Sequence, residues 1–422
     1  MKFQTVFFNV SALHLAAEKN NIEIIKLLLS QPGIEIGKQE FKYTKLSEIT
    51  IPSSVTLIED ETFDKCSNLE QITIPSSVTS IGSFAFSECI LLTEIVIPSS
   101  VKSIGSYAFY GCSSLEKVMI PSSVTSINKC TFMGCYVLKN VLIPSSITEI
   151  GNDAFYECSS LNEITIPSSV IKIESNAFEK CYSLNQFLFS RPSSLTAIEY
   201  SLFTECRNLK EIIIPSSVSI IESHAFEDCS KLTKITFEDP SSLEKIDSYA
   251  FKGCLSLTEI CIPSSVTKIG EYNFQKCISL EKVLFLSPIK EIGYSEFLEC
   301  SKLTQIKIPS SCVSINSFSF CKCSSLESIE IPSSVKHIYE SAFDECSSLK
   351  NIEFQSPSSL VYIGKSAFYK CASLAQICFP SSLAEIDENA FEECNSLKKI
   401  SIHCQIDKNL VGINPDVIID QI

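Results

Sequence analysis

Twenty-one cysteines and four histidines hold most of the nucleophilic and metal-ligating capacity of this 422-residue chain, and their spacing limits what they can do. Fifteen cysteines close the same tetrapeptide, Phe-x-x-Cys, from Phe63/Cys66 to Phe391/Cys394. The other six are Cys130, Cys261, Cys312, Cys321, Cys378 and Cys404. No Cys-x-x-Cys occurs, and Cys321-Lys-Cys323 is the one close pair, so the ligand spacing of a zinc site is missing. If the units stack, equivalent residues lie about 4.8 Å apart, inside the Cα range for a disulfide. Distance therefore permits a disulfide ladder. Direction opposes it, because equivalent side chains of stacked units run parallel, and the cysteine count is odd. The expectation is small buried hydrophobes with reduced thiols. Histidines at 14, 224, 337 and 403 offer few candidates for acid–base work or imidazole ligation. Twelve glycines supply no phosphate-cradling loop. Glu330 and Glu353 fall one unit apart, about the carboxylate separation of a retaining glycosidase. Two acids on a regular ladder nevertheless read as solvated charge. No catalytic residue, cofactor or metal site is expected, and the chain is read as non-enzymatic.

The elements that carry these residues are set by a repeat. Between Pro52 and Pro380 the prolines recur in steps of 23 or 25 residues, with one step of 21. A period of that size marks a solenoid of about 15 units rather than several independent domains. One unit reads Leu92-Thr-Glu-Ile-Val-Ile-Pro-Ser-Ser-Val-Lys-Ser-Ile-Gly-Ser-Tyr-Ala-Phe-Tyr-Gly-Cys112. Ile95-Val96-Ile97 reads as a short strand with Ile95 and Ile97 inward. Pro98 ends it for want of a donor, and the serines suit a turn. Val101 and Ile104 point back to the core. Ala108-Phe109 predicts a one-turn helix or 3₁₀ element. No unit buries its apolar positions alone, so stability is a sum of neighbour interfaces. Four units insert two residues after the strand, at Phe189–Pro192, Phe237–Pro240, Phe285–Pro288 and Phe354–Pro357, and replace the last strand Ile by Phe. An inward ring is expected to prop each lengthened turn. In the third, Ile289 follows Pro288 without Ser-Ser, a deletion that restores the period and explains the 21-residue step.

The pattern L-x-x-I-x-I-P-S-S-V-x-x-I with A-F-x-x-C resembles the BspA-like leucine-rich repeats of bacterial and protozoan surface proteins, over roughly residues 41 to 404. The resemblance implies a curved, β-rich leucine-rich repeat solenoid that binds protein, such as a host-surface or extracellular-matrix protein, in adhesion or as a surface antigen. It carries over no catalytic residue. In such a repeat the strand residues flanking the inward Ile face the open sheet surface. The middle row runs Thr50, Thr73, Val96, Met119, Leu142, Thr165, Leu188, Ile213, Thr236, Cys261, Leu284, Lys307, Glu330, Glu353, Cys378 and Ser401. Val96, Met119, Leu142, Leu188, Ile213 and Leu284 form a candidate partner-binding stripe. The competing reading is that such residues simply suit a sheet.

The first forty residues differ. Ser11-Ala-Leu-His-Leu-Ala and the apolar run from Ile22 to Leu29 resemble one ankyrin repeat, with Ser and Ala standing where that motif has Thr and Pro. The resemblance makes residues 1–40 an α-helical segment or cap, 41–404 the solenoid and 405–422 a C-terminal cap or tail. His14 is expected to be a structural hydrogen-bonder of that motif. A signal peptide is the competing reading of residues 1–17, but Gln4, Asn9 and His14 interrupt its apolar run. Asn9-Val-Ser11 is the single glycosylation sequon. A net charge of −15 argues against nucleic acid and against an anionic membrane surface. No run reaches the length of a membrane-spanning helix. Cell-surface placement follows from the resemblance. An intracellular ankyrin/leucine-rich adaptor in the cytoplasm is the alternative, favoured by the reduced cysteines and the absence of a clear export signal.

Overall fold

The computed structural model describes residues 12–31, 33–402 and 416–421. Within them the chain makes about 16 turns of a parallel β-solenoid, preceded by short helices at 12–18 and Ile22–Leu29. It divides into two compact units, Met1–Leu209 and Lys210–Ile422. Each turn is one sequence repeat. In the first unit Glu94–Val96, Lys117–Met119 and Asn140–Leu142 pair in parallel, with Val96 beside Met119 and Met119 beside Leu142. A second ladder of two-residue strands runs alongside, for example Ser80–Ile81 against Ser103–Ile104.

The inward assignments hold. Ile95 and Ile97 are buried, as are Val101 and Ile104. After Pro98 the chain closes a turn in which Val101 N–H donates to the Pro98 carbonyl at 3.0 Å. The second serine does more than cap that turn. Ser100 Oγ donates to the Val78 carbonyl of the preceding turn at 2.6 Å, and Ser146 does the same to Val124 at 2.6 Å. Each satisfies a carbonyl that a solenoid corner would otherwise leave without a partner.

The expected one-turn helix is absent. Residues 106–111 form two linked turns, with Tyr107 at φ 60° and Gly111 at φ 67°. Cys112 N–H closes back to Phe109, but Phe109 N–H donates outward to Thr131 of the next turn at 2.9 Å. Left-handed residues break the i to i−4 ladder a helix requires and turn the amides along the solenoid axis. The rings stack along that axis. In the first unit successive centroids from Phe41 to Phe178 lie 5.2 to 5.5 Å apart. In the second unit the column runs from Phe226 to Phe391.

The rings at the lengthened turns are not core residues. Phe189, Phe237, Phe285 and Phe354 are only half-buried, whereas the Ile at the same place in ordinary turns is buried. Phe285 still meets the column ring Phe297 edge-on, with centroids 6.5 Å apart. At the N-terminus the Asn21 side chain caps the helix by accepting from Ile24 N–H at 3.1 Å. Ile25 and Leu29 are buried, Lys26 reaches Glu48 at 3.1 Å, and Asn20 Oδ1 accepts from Lys45 N–H at 3.1 Å. Helix Ile22–Leu29 is thus tied to the first strand, Glu48–Thr50, through Lys26. Ile418–Gln421 adds a parallel strand to Lys399–Ile402. Residues 1–11, with the sequon and most of the signal-like run, lie outside the described residues, as do His403 and Cys404.

Candidate functional site

The strand face separates sharply into inward and outward rows. In the first unit Val96, Met119 and Leu142 are 74, 62 and 74% exposed, while their neighbours Ile95, Val118 and Val141 are buried. The alternation of a strand requires this, because Leu, Ile and Phe columns already fill the interior. Leu188, three turns from Met119 in this unit, is 44% exposed. Beside the row stand exposed Glu94, Lys117, Asn140, Glu163 and Gln186. In the second unit Ile213 and Leu284 are 43 and 41% exposed and Cys261 is exposed. All six stripe residues therefore reach solvent, with the first three contiguous in register. Further along the second unit the same row becomes charged. Glu330 and Glu353 are register partners, both exposed, and Glu330 Oε1 accepts from Gln355 Nε2 at 2.7 Å. That is solvated, hydrogen-bonded charge rather than an acid held in an apolar pocket.

The Phe-x-x-Cys thiols are buried in both units. Sequence reasoning placed them under the rings but missed their partner. Cys112 Sγ donates to the Phe86 carbonyl of the preceding turn at 3.1 Å, and Cys158 to Phe132 at 3.2 Å. The Phe86 carbonyl also accepts Cys89 N–H, so the thiol occupies its second lone pair. In the second unit Cys300 and Cys346 repeat the bond to Phe274 and Phe320, each at 3.1 Å. Burial pushes the thiols up, Cys112 to about 12. A protonated donor on each turn is the physical reason for cysteine there: a small apolar residue that still makes one weak hydrogen bond.

A second feature was readable and was missed. The residue before the column Phe is Ala in most turns, but Asn273, Glu296 and Ser319 occupy it in three consecutive turns, and Glu40 does so in the first. Asn273 Oδ1 accepts from Ala250 N–H at 3.0 Å, and Glu296 Oε2 accepts from Asn273 N–H at 3.4 Å. Glu296 Oε1 and Asn273 Nδ2 have no hydrogen-bond partner among the described residues. Burial pushes the Glu296 carboxyl up to about 8 and Glu40 to about 7. His14 is exposed, with Nε2 3.7 Å from Glu18 one helical turn on. His224 pairs with Glu227 and stacks on Tyr249. Among the described residues no group of three or more His, Cys, Asp or Glu is arranged to hold a metal ion.

A family model described as the BspA type leucine-rich repeat region matches in overlapping copies that together span residues 34–410. The chain belongs to the BspA-type leucine-rich repeat family. Its N-terminal helices lie before the match. A leucine-rich repeat protein from Bacteroides ovatus ATCC 8483 is 37% identical, over 82% of this chain and 88% of its own, with a TM-score of 0.73. A leucine-rich cell surface protein from Faecalibacterium prausnitzii A2-165 is 26% identical over 92% of this chain and 89% of its own, with a TM-score of 0.42. A leucine-rich repeat protein from Eubacterium ventriosum ATCC 27560 is 27% identical over 79% of this chain and 84% of its own, with a TM-score of 0.46. No curated protein matches the chain significantly. Members of this family are generally non-enzymatic binders of protein, and among the described residues no helix is long and apolar enough to cross a membrane.

Proposed function

We propose that this chain is a non-enzymatic protein-binding scaffold at the cell surface, acting in adhesion or as a surface antigen. The observation that carries the reading is the contiguous row Val96, Met119 and Leu142, each more than 60% exposed on a rigid ladder and bordered by Glu94, Lys117 and Asn140. An apolar strip with a polar rim is the anatomy of a protein interface. Leu188 extends the strip in the first unit; Ile213 and Leu284 give the second unit a weaker strip of its own. Surface placement rests on the kind of protein in which BspA-type repeats occur.

The test is adhesion of beads coated with the purified chain to cultured epithelial cells and to an adsorbed extracellular-matrix extract. The Met119→Glu/Leu142→Glu chain, folded by circular dichroism, is expected to lose most of that adhesion, because two carboxylates would be desolvated at the contact. Lys307→Glu is the matched control. Equal adhesion by all three chains sinks the strip as the binding face. The intracellular adaptor reading draws on the buried, reduced thiols and the helical N-terminus. Labelling intact source cells with a membrane-impermeant amine reagent decides between them, since only a surface chain is labelled.

A further inference from the structure

The residue immediately before the column cysteine forms a row of its own, and in the second unit that row alternates in sign. It reads Lys276, Glu299, Lys322, Glu345, Lys370 and Glu393 over six consecutive turns, with Gly253 before it. All six sit at the same left-handed position, at φ from 55° to 67°. The last five line an open groove of about 800 Å³, whose floor is kept low by Ser301, Ser324, Ser347 and Ala372. Neighbours along the row do not neutralise one another well: among the described residues only Glu345 and Lys370 come within 4 Å, at 3.8 Å. The equivalent row of the first unit, interrupted by Gly111 and Gly134, does not alternate over its length.

An even-numbered row of alternating charges is its own complement when reversed. Turned about a twofold axis crossing it at right angles between Lys322 and Glu345, it sets Lys276 against Glu393, Glu299 against Lys370 and Lys322 against Glu345 of the second copy, each pairing made twice. The spacing matches of necessity, since both rows have the same step. We infer that this groove is an isologous interface for a second copy of the chain. Exposed ion pairs are individually weak and screened by salt, so the dimer is a low-affinity one that forms at high local concentration, as on a crowded surface. The inference concerns a different face from the apolar strip and stands without it.

The test is sedimentation equilibrium of the full chain up to millimolar concentration in 50 and 500 mM salt. Wild type is expected to dimerise and to weaken in high salt. Glu345→Lys and Lys322→Glu each replace two attractive pairs by two repulsive ones, so each is expected to self-associate about tenfold more weakly. They change net charge in opposite directions, which separates the row from overall charge. Mixing the two single variants makes every pair opposite again, as does the double exchange Lys322→Glu/Glu345→Lys; both are expected to recover wild-type association. Folding is not at issue, because the row already accepts either residue at this φ. A wild type that stays monomeric, or a dimer indifferent to the single exchanges, overturns the inference.

Discussion

The strand faces around Val96–Leu142 and around Lys307–Glu353 are the same scaffold with different outward chemistry. Inward, both present aliphatic residues: Ile95, Val118 and Val141 in the first unit, Ile306, Ile329 and Ile352 in the second, all buried. Outward, the first shows Val, Met and Leu and the second Lys, Glu and Glu. The Phe–Cys column is common to both, while the second differs in the lengthened turn after Glu353 and in joining Lys307 to Glu330 by a single bridge. In a solenoid each turn is held by its neighbours through the inward positions. The outward row is therefore free of folding constraints and is where binding chemistry varies at little cost in stability.

The largest expected effect contrasts cysteines on the two sides of that division. Cys261 and Cys378 lie on the outward row and are exposed, whereas the column thiols are buried; desolvation raises Cys261 as well as the column thiols, so exposure is what separates the two sets. Titration of the native chain with an aromatic disulfide is expected to modify these two promptly and the column only on denaturation. Rapid loss of the column thiols, or recovery of a Cys89–Cys112 bridge by mass spectrometry, breaks the distinction.

Next comes the column itself. Phe155 is fully buried between Phe132 and Phe178, and its truncation to alanine should cost about 3–5 kcal/mol. Phe391, at the last turn of the column, stacks on Phe368 and meets Phe379 at a tilt; near the end of the array it should cost less when truncated. Equal shifts in urea melts would contradict a nearest-neighbour stack.

The period, the strands, the inward columns and the outward row were all legible, because a repeating chain displays its own alignment and alternation fixes which residues face out. The double turn at Tyr107 and Gly111 was not, since non-glycine left-handed residues leave no compositional mark when Tyr, Asp, Ser and Lys all adopt them. The thiol–carbonyl bond was hidden for a related reason: burial predicts Cys, but only the stacked geometry places the preceding Phe carbonyl within reach. Glu296 was visible and was overlooked. An acid in an alanine column is a departure that the internal alignment states outright.

That departure yields an intermediate effect. Glu296 titrates at about 8 in the fold against about 4.5 unfolded. Between those values the folded chain holds more protons than the unfolded one, so stability contributed through this group falls as pH rises from about 4.5 to about 8. Glu296→Ala restores the usual column residue and removes a desolvated carboxyl. It is expected to stabilise the chain by about 1–2 kcal/mol at pH 8, with little gain at pH 4. A gain independent of pH would mean the carboxyl is neutral, or equally solvated, in both states.

The smallest effect is the most diagnostic of the comparison. Met119→Glu/Leu142→Glu gives the first unit the outward chemistry that Glu330 and Glu353 already give the second. Those glutamates are register neighbours, as Met119 and Leu142 are, so the natural chain shows that two adjacent carboxylates are tolerated on this ladder. Neither replaced side chain is buried, and the change in stability is expected to stay within about 0.5 kcal/mol. Val118→Glu, one residue away and on the inward side, should by contrast cost about 3 kcal/mol or more, because it buries a charge without a partner. Urea midpoints of the two chains measure the difference directly. If the outward pair costs as much as the inward single change, the row is packed against something in the folded chain, and the freedom of the outward face is lost as an explanation for both halves of the molecule.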